Sequence, residues 1–433
     1  MKTEPNESSP FPPPEPPKPS HPGTTYERFR SEMVAGGAVG ESDTVSGAQG
    51  LLGIAVIIGL LVWLGIANVW MLVFVIGILI SVLLHEFGHF ITARMAGMKV
   101  TQFFMGFGPK LWSFRRGEVE YGVRALPLGA FVRIIGMSNI DEVDAADEAR
   151  AYRQKPYRWR LLTICAGSLM HFVIAIALLL GVYSFAGRPE ETDRVQFNAV
   201  SADTAAATAG LEAGDIVVSV DGVAAASPAE VTDQVRAHDP GDTVQVVVLR
   251  DGAERTFDVT LGARPDDASV AYLGVSSGYE VRYTRHGPIT TLGNIGEDTW
   301  NAAYQSVKGV VTVINPVNLF NHLTGQSDDI ETRPTTLVGA TNVSSRIGDF
   351  DGFKGILLML AAVNLFFGLF NLFPLLPFDG GHAAIATYER IRSRPGKRYF
   401  ADVTKMMPVA LGVMTLLGFM LFTGLYLDIA KPL

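Results

Sequence analysis

Residues 85–89 read His-Glu-Phe-Gly-His. On a helix, His85 and His89 are four residues apart and share a face, the spacing with which two imidazoles grip one zinc ion. Glu86 lies beside that face, close enough to serve as general base on a water there without being a ligand itself. The motif sits inside an apolar run, Val69 to Ile91, long enough to cross a bilayer. Two histidines and a glutamate are costly to keep in hydrocarbon, so their presence is read as functional. The plain alternatives are a polar patch filling a helix contact and a chance match.

A hydrolytic zinc site wants three protein ligands and one open position. Soluble proteases with this motif often carry a third histidine six residues after the second, and here that position is Met95. Glu118 and Glu120 are near in sequence but belong to a basic loop beyond the apolar run. The better third ligand is Asp379, within the stretch NLFPLLPFDGGH that runs from Asn371 to His382. Two prolines before Asp379 and two glycines after it break a helix there. Irregular backbone at membrane depth is tolerated only where it lines protein or a wet cavity. An ordinary Asp-Gly turn after a span is the competing reading. His382 is a weaker ligand, better suited to supporting one or to starting a helix.

The elements that must position these residues are apolar. Of the 433 residues, 48% are hydrophobic and only 18% charged, which is high for a soluble enzyme. The apolar residues fall in blocks at Leu51–Ala67, Trp70–Ile91, Leu161–Tyr183, Ile356–Leu376 and Pro408–Leu427, each at or near the length of a span. The single cysteine, Cys165, excludes an intramolecular disulfide and a thiolate metal site. From Arg94 to Arg160 there are 12 basic and 7 acidic residues, whereas between Arg188 and Arg282 there are 7 and 17. Bases dominate again from Arg390 to Lys405. The positive-inside rule makes the two basic stretches cytoplasmic and the acidic one extracytoplasmic. The histidines then lie toward the cytoplasmic end of an inward-running span, and Asp379 ends another at the same depth. A multi-pass protein of the cell membrane is expected, in contact with lipid and not with nucleic acid.

Along the chain, 1–50 reads as a disordered, proline-rich tail, solvated or a ligand for some partner domain. No basic region precedes Leu51 and no small-residue cleavage site follows, so no signal peptide is expected. The segment 51–67 is short for a span and leaves the count at four or five. The span with the histidine motif covers 69–93, and a cytoplasmic loop follows over 94–160. Within that loop, Gly117–Met137 alternates as one or two short strands. A span over 161–185 leads to a small soluble domain over 195–282. Its strands are expected at Asp215–Val220, Thr243–Arg250 and Thr256–Leu261, with a helix near Pro228–His238. An extracytoplasmic connecting region over 283–355 contains a stripe of Trp300, Tyr304, Val307, Val311 and Ile314, suited to core or membrane-surface packing. A span over 356–382, a cytoplasmic loop over 383–407 and a last span over 408–428 complete the chain.

HEFGH in the first long span, NLFPLLPFDGG in a late one and a GLEAGD-bearing soluble domain between them resemble the site-2 protease family of intramembrane zinc proteases. The likeness covers roughly Val69 to Leu433 and points to the bacterial branch, especially its actinobacterial members. It implies a polytopic α-helical membrane protein with four core transmembrane helices, an optional fifth at the N-terminus, a membrane-associated β-region and an inserted extracytoplasmic α+β domain. It implies one Zn²⁺ per chain, bound by His85, His89 and Asp379, with Glu86 as general base. Gly106–Met137 is similar to the family's β-region beside the active site. Asn371, Pro374 and Pro377 match its NxxP segment, and Asn364 earlier in that span also fits, which would put these four beside the substrate. The family's late motif usually reads Leu-Asp-Gly where this chain has Phe378-Asp379-Gly380. Many relatives carry Asn where this chain has His171, which reads as a helix contact facing the site region.

GLEAGD (Gly210–Asp215), followed by Val220-Asp221-Gly222, resembles the bacterial PDZ pattern. By that resemblance the Tyr272–Val275 loop, with Gly274, would grip a peptide C-terminal carboxylate. The activity implied is cleavage of transmembrane segments of single-span proteins such as anti-sigma factors, or of remnant signal peptides. Two rivals stand beside it. One is a membrane-anchored PDZ scaffold or inactive relative that retains partners, for which Glu86 would be superfluous. The other is a zinc or proton transporter, for which no inverted repeat is visible.

Overall fold

The computed structural model describes residues 47–431 apart from 138–140, 142, 266, 328, 330–331 and 395–396. The expected tail over 1–46 lies outside the described residues, and 47–50 are helical. In chain order the elements are α1 (Gly47–Ala67), α2 (Val69–Met95), β1 (Val100–Arg116), β2 (Val119–Ile134), α3 (Tyr157–Phe185) and β3 (Arg188–Val200). Then come α4 (Ala205–Ala209), β4 (Ile216–Val220), β5 (Val223–Ala224), α5 (Pro228–Arg236), β6 (Thr243–Arg250), β7 (Ala253–Thr260), β8 (Gly262–Arg264), β9 (Asp267–Tyr272) and β10 (Val275–Thr284). The chain continues through α6 (Pro288–Ile314), α7 (Pro316–Thr324), α8 (Leu337–Asn371), α9 (Asp379–Arg392) and α10 (Met407–Ala430). The described residues up to Val182 together with those from Leu292 onward form one compact unit, and those of Tyr183–Thr291 form another.

In the first unit α1, α2, α3, α8 and α10 are long and apolar enough to cross a membrane. Asn68 separates α1 from α2 because its side-chain oxygen accepts hydrogen bonds from the Trp70 and Met71 amides, at 2.8 and 3.2 Å, capping α2. Phe74 and Ile78 of α2 bury against Ile356 and Leu360 of α8. That packing brings the histidine-bearing helix beside the one that leads to Asp379.

Sequence and structure diverge at the end of α8. The span expected over 356–382 is not one helix. α8 starts earlier, at Leu337, is broken at Gly352 (φ 65, ψ −149) and stops at Asn371. Pro374 and Pro377 have no N–H to continue it, the Leu376–Pro377 bond is cis, and a new helix, α9, starts at Asp379. The loop expected from 383 is therefore helical as far as Arg392. Gly380 and Gly381 let α9 start hard against the preceding turn. A Cβ on Gly380 would lie 2.1 Å from the Leu372 oxygen, and one on Gly381 2.5 Å from the Leu375 carbonyl carbon.

The β-region is larger than its alternating stretch indicates. β1 and β2 form one antiparallel hairpin that begins at Val100, and register shifts between Met105 and Trp112 hide its period of two from the sequence. The stripe on α6 is exposed, with Trp300 at 75% and Tyr304 at 64%, so it does not serve core packing.

The second unit is an antiparallel sheet in the order β10-β3-β4-β6-β7, with β5 paired to β4 and a separate β8-β9 ribbon. Val195, Phe197, Val217, Val246, Val248 and Val259 fill its core with Val231 and Val235 of α5. Asp215, the last residue of GLEAGD, is buried and takes two hydrogen bonds from Arg250, Nε to Oδ1 at 2.6 Å and Nη2 to Oδ2 at 2.7 Å. Arg250 also donates to the Gly210 carbonyl, so both ends of the motif hang on one guanidinium.

Candidate active site

α2 presents His85 and His89 on one face, and the start of α9 brings Asp379 to them. The two Nε2 atoms are 3.1 Å apart. Asp379 Oδ2 is 3.4 Å from His85 Nε2 and 3.3 Å from His89 Nε2. One donor atom from each residue falls within 4.8 Å of the others, and this is the sole such group of histidine, cysteine and carboxylate side chains among the described residues. Both histidines are 8% exposed. The Glu86 carboxylate lies to one side, its Oε1 4.0 Å from His85 Nε2, and meets the backbone of Val132 on β2.

These residues fit a divalent zinc ion on three observations. His89 Nδ1–H donates to the Thr163 carbonyl at 2.7 Å, which leaves the Nε2 lone pair for a metal. Asp379 Oδ2 is buried, makes no hydrogen bond of good geometry and faces both Nε2 atoms at 3.3–3.4 Å, so three electron-rich atoms converge on one point that suits a cation. Gly167 of α3 keeps the space before the imidazoles clear, for a Cβ there would lie 2.4 Å from His89 Nε2 and 2.6 Å from His85 Nε2. Two imidazoles and a carboxylate form a donor set of the kind hydrolytic zinc uses.

The other sequence candidates separate into those near this cluster and those spent elsewhere. Glu118 is paired with Arg150 at 2.6 and 2.7 Å, and Glu120 accepts from Lys110 and Ser113, both at 2.8 Å. Neither reaches the histidines. Asn364 is fully buried. Its Nδ2 donates to Ser81 Oγ at 3.0 Å and to the Leu360 carbonyl at 2.8 Å, while Oδ1 accepts from His171 Nδ1 at 2.8 Å. A hydrogen bond from Asn364 to a substrate would have to break one of these. His171 packs its ring 4.9 Å from that of His85. Asn371 ends α8 half-buried, and Pro374 and Pro377 form the turn that aims Asp379. His382 lies on the first turn of α9, outside the donor cluster.

In the second unit, Gly274 takes φ +88, and a Cβ there would meet Thr204 at 2.2 Å. The carbonyls of Leu273 and Gly274 accept from the Ala206 and Ser201 amides, both at 2.9 Å, and so hold the 272–275 loop in shape.

Three contributors were not singled out in the sequence. Thr163 acts through its carbonyl, which every residue possesses, and Gly167 reads as one more small residue in a helix. The third, an ion pair between Arg160 and Glu389 at 2.5 Å, joins residues too far apart in the chain to be paired by inspection.

Comparison with known proteins places the chain among relatives of one kind. The model of a family described as peptidase family M50 matches residues 73–415. Zinc metalloprotease Rip1 of Mycolicibacterium smegmatis is 33% identical over 405 residues, covering 84% of this chain and 98% of that protein. Rip1 of Mycobacterium tuberculosis is 33% identical over 396 residues, covering 83% and 97%. A putative zinc metalloprotease of Mesorhizobium japonicum is 28% identical over 366 residues, covering 80% and 96%. Among solved structures, the PDZ domain of an SdrC-like protein from Listeria monocytogenes matches at 27% identity and TM-score 0.18, covering 20% of this chain and 90% of that one.

Proposed function

The chain belongs to peptidase family M50 and is a zinc metalloprotease, and on that premise we propose that it cuts transmembrane segments of single-span membrane proteins within the bilayer. The observation that carries this reading is the convergence of His85, His89 and Asp379, with Glu86 beside them, on a helix apolar enough to span a membrane. His85, His89 and Asp379 would hold one zinc ion per chain. When bound, the ion supplies Lewis-acid polarisation of the scissile carbonyl and lowers the pKa of water toward 7.

The chain's own residues do the rest. Glu86 takes a proton from the attacking water as its oxygen bonds to the carbonyl carbon. It returns that proton to the leaving nitrogen as the C–N bond breaks. A scissile peptide must first leave its helix, since helical backbone buries the carbonyl in its own hydrogen bonds. The β1–β2 hairpin offers strand edges on which the unwound segment can lie extended, and the contact of Glu86 with the Val132 backbone supports this. Asn371, at the open end of α8, is the better donor to that backbone or to the tetrahedral oxyanion, because the amide of Asn364 is already engaged.

Residues 183–291 act as a PDZ domain that lays a peptide C-terminus along the β10 edge, with its carboxylate at the Gly274 loop. The charge split supports an extracytoplasmic position for this domain and a cytoplasmic-side active site. Substrates of the anti-sigma-factor kind and remnant signal peptides both suit a site admitting one helix. Family membership leaves the transporter reading without support.

The test is cleavage of a single-span model substrate with a helix-weakened centre by the full-length protein in detergent, wild type beside Glu86→Gln. Cutting within the span by wild type alone, with zinc retained in both, is expected. No cutting by zinc-loaded wild type would favour a partner-retaining role exercised through the PDZ-like domain.

A further inference from the structure

α3 carries none of the three converging donors, yet it touches every element that does. Its contacts fall on one face, at residues spaced three or four apart. Tyr157 Oη is 3.1 Å from Thr387 Oγ1 on α9. Arg160 Nη2 donates to Glu389 Oε2 on α9 at 2.5 Å. The Thr163 carbonyl holds His89, Gly167 clears the space before both imidazoles, and His171 reaches Asn364 on α8. The donors of α2 and α9 are therefore both referenced to one rigid helix.

From this arrangement we infer that the Arg160–Glu389 pair positions Asp379. Asp379 stands at the first residue of α9, and the pair holds the far end of that same helix. Both side chains are buried, at 8% and 5% exposure. Glu389 Oε1 accepts from the Ala401 amide at 2.9 Å, and the Arg160 guanidinium lies 5.0 Å over the Tyr152 ring. Each charge is thus held by more than its partner, which fixes orientation as well as distance. A buried pair of this kind is weak ground for stability, because two apolar side chains of similar size would hold the helices together as well. What they would not supply is a directional bond that fixes the rotation and tilt of α9. Its N-terminal half is held by close packing of Gly380 and Gly381 and by apolar contacts of Ala383, Ile385 and Ala386, none of them directional. Release of Glu389 lets α9 pivot there, and Asp379 Oδ2 drifts from the two Nε2 atoms.

This role rests on Asp379 being a zinc ligand, and the test separates the two claims. Full-length protein in detergent is titrated with zinc against a chelator of known affinity, and the visible absorption bands of the cobalt-loaded form are recorded. Glu389→Gln should keep its helical circular dichroism, bind zinc about 10–100-fold more weakly and show shifted cobalt bands. A folded Glu389→Gln with wild-type affinity and bands overturns the proposal. The double variant Arg160→Met/Glu389→Met, which removes both charges together, should fold and again bind zinc more weakly; wild-type affinity in it would show that apolar contact suffices and likewise overturn the idea. Asp379→Asn run alongside should abolish tight binding. If it does not, the ligand assignment fails; if it does while Glu389→Gln binds normally, only the positioning role fails.

Discussion

Gly167 and His89 stand so close that one methyl group would fill the space between them: a Cβ on Gly167 would lie 2.4 Å from His89 Nε2. Gly167→Ala should therefore fold, since alanine favours the helix, yet lose metal. Zinc retention about 10–100-fold weaker than wild type is expected, with cleavage reduced in step. Metal content after dialysis against a weak chelator checks this, and stoichiometric zinc in the variant would refute it.

Two asparagines on α8 should separate by assay. Asn364→Leu orphans His171 Nδ1 and takes one of two bonds from Ser81 Oγ and from the Leu360 carbonyl, at a cost of about 1–3 kcal/mol for the buried group left unpaired. It should lower the thermal unfolding midpoint clearly. Asn371→Ala should leave stability within about 0.5 kcal/mol but reduce turnover about 10²–10³-fold if it serves the oxyanion. Wild-type turnover in Asn371→Ala would remove it from the chemistry.

How much of this could be read from the chain differs residue by residue. His85 and His89 were visible because a helix repeats every 3.6 residues, and Asp379 because prolines and glycines rarely cluster beside a carboxylate in an apolar segment. The break between α8 and α9 followed from the same prolines, but its position did not, since apolar composition alone does not say where a helix stops. The early start of the hairpin was hidden by Gly106, Gly108 and Pro109 inside β1, which spoil alternation where the strand bulges. Asn364 looked available because its polarity was legible and its partners, on two other helices, were not.

The hairpin should respond to acid. Burial pushes the Glu120 carboxyl up, but hydrogen bonds from Lys110 and Ser113 outweigh that and leave it below its ordinary value. The hydrogen bond from Arg150 likewise holds Glu118 low. A lowered carboxyl stabilises the fold above its unfolded pKa, and that contribution is lost as pH falls below the ordinary glutamate range and through the lowered value. Fluorescence of a variant keeping Trp112 as its sole tryptophan should change over that range. Lys110→Met, which leaves the Ser113 bond, should reduce the Glu120 share of the change, and an identical titration in that variant would contradict the assignment.

In the second unit, Asp215→Ala should be severe. It removes two bonds from Arg250, which keeps Glu212 and the Gly210 carbonyl, and it frees the Glu212 amide; a hydrogen bond to a charged group is worth about 1.5–3 kcal/mol. Amide exchange of β4 and β6 reads the loss. Protection equal to wild type would show that the GLEAGD turn holds without its anchor.

The converging donors come from opposite ends of the coding order. With synthesis at ~5–20 residues per second, Asp379 leaves the ribosome roughly 15–60 s after His89. Through that interval His85, Glu86 and His89 can already be seated in the bilayer, beside nascent helices of this and other proteins. A protease that completed its metal cage from neighbouring residues would be armed among them. With Asp379 as third ligand the cage would stay open until α8 has turned and α9 has docked, and the order of translation would then serve as a safety catch.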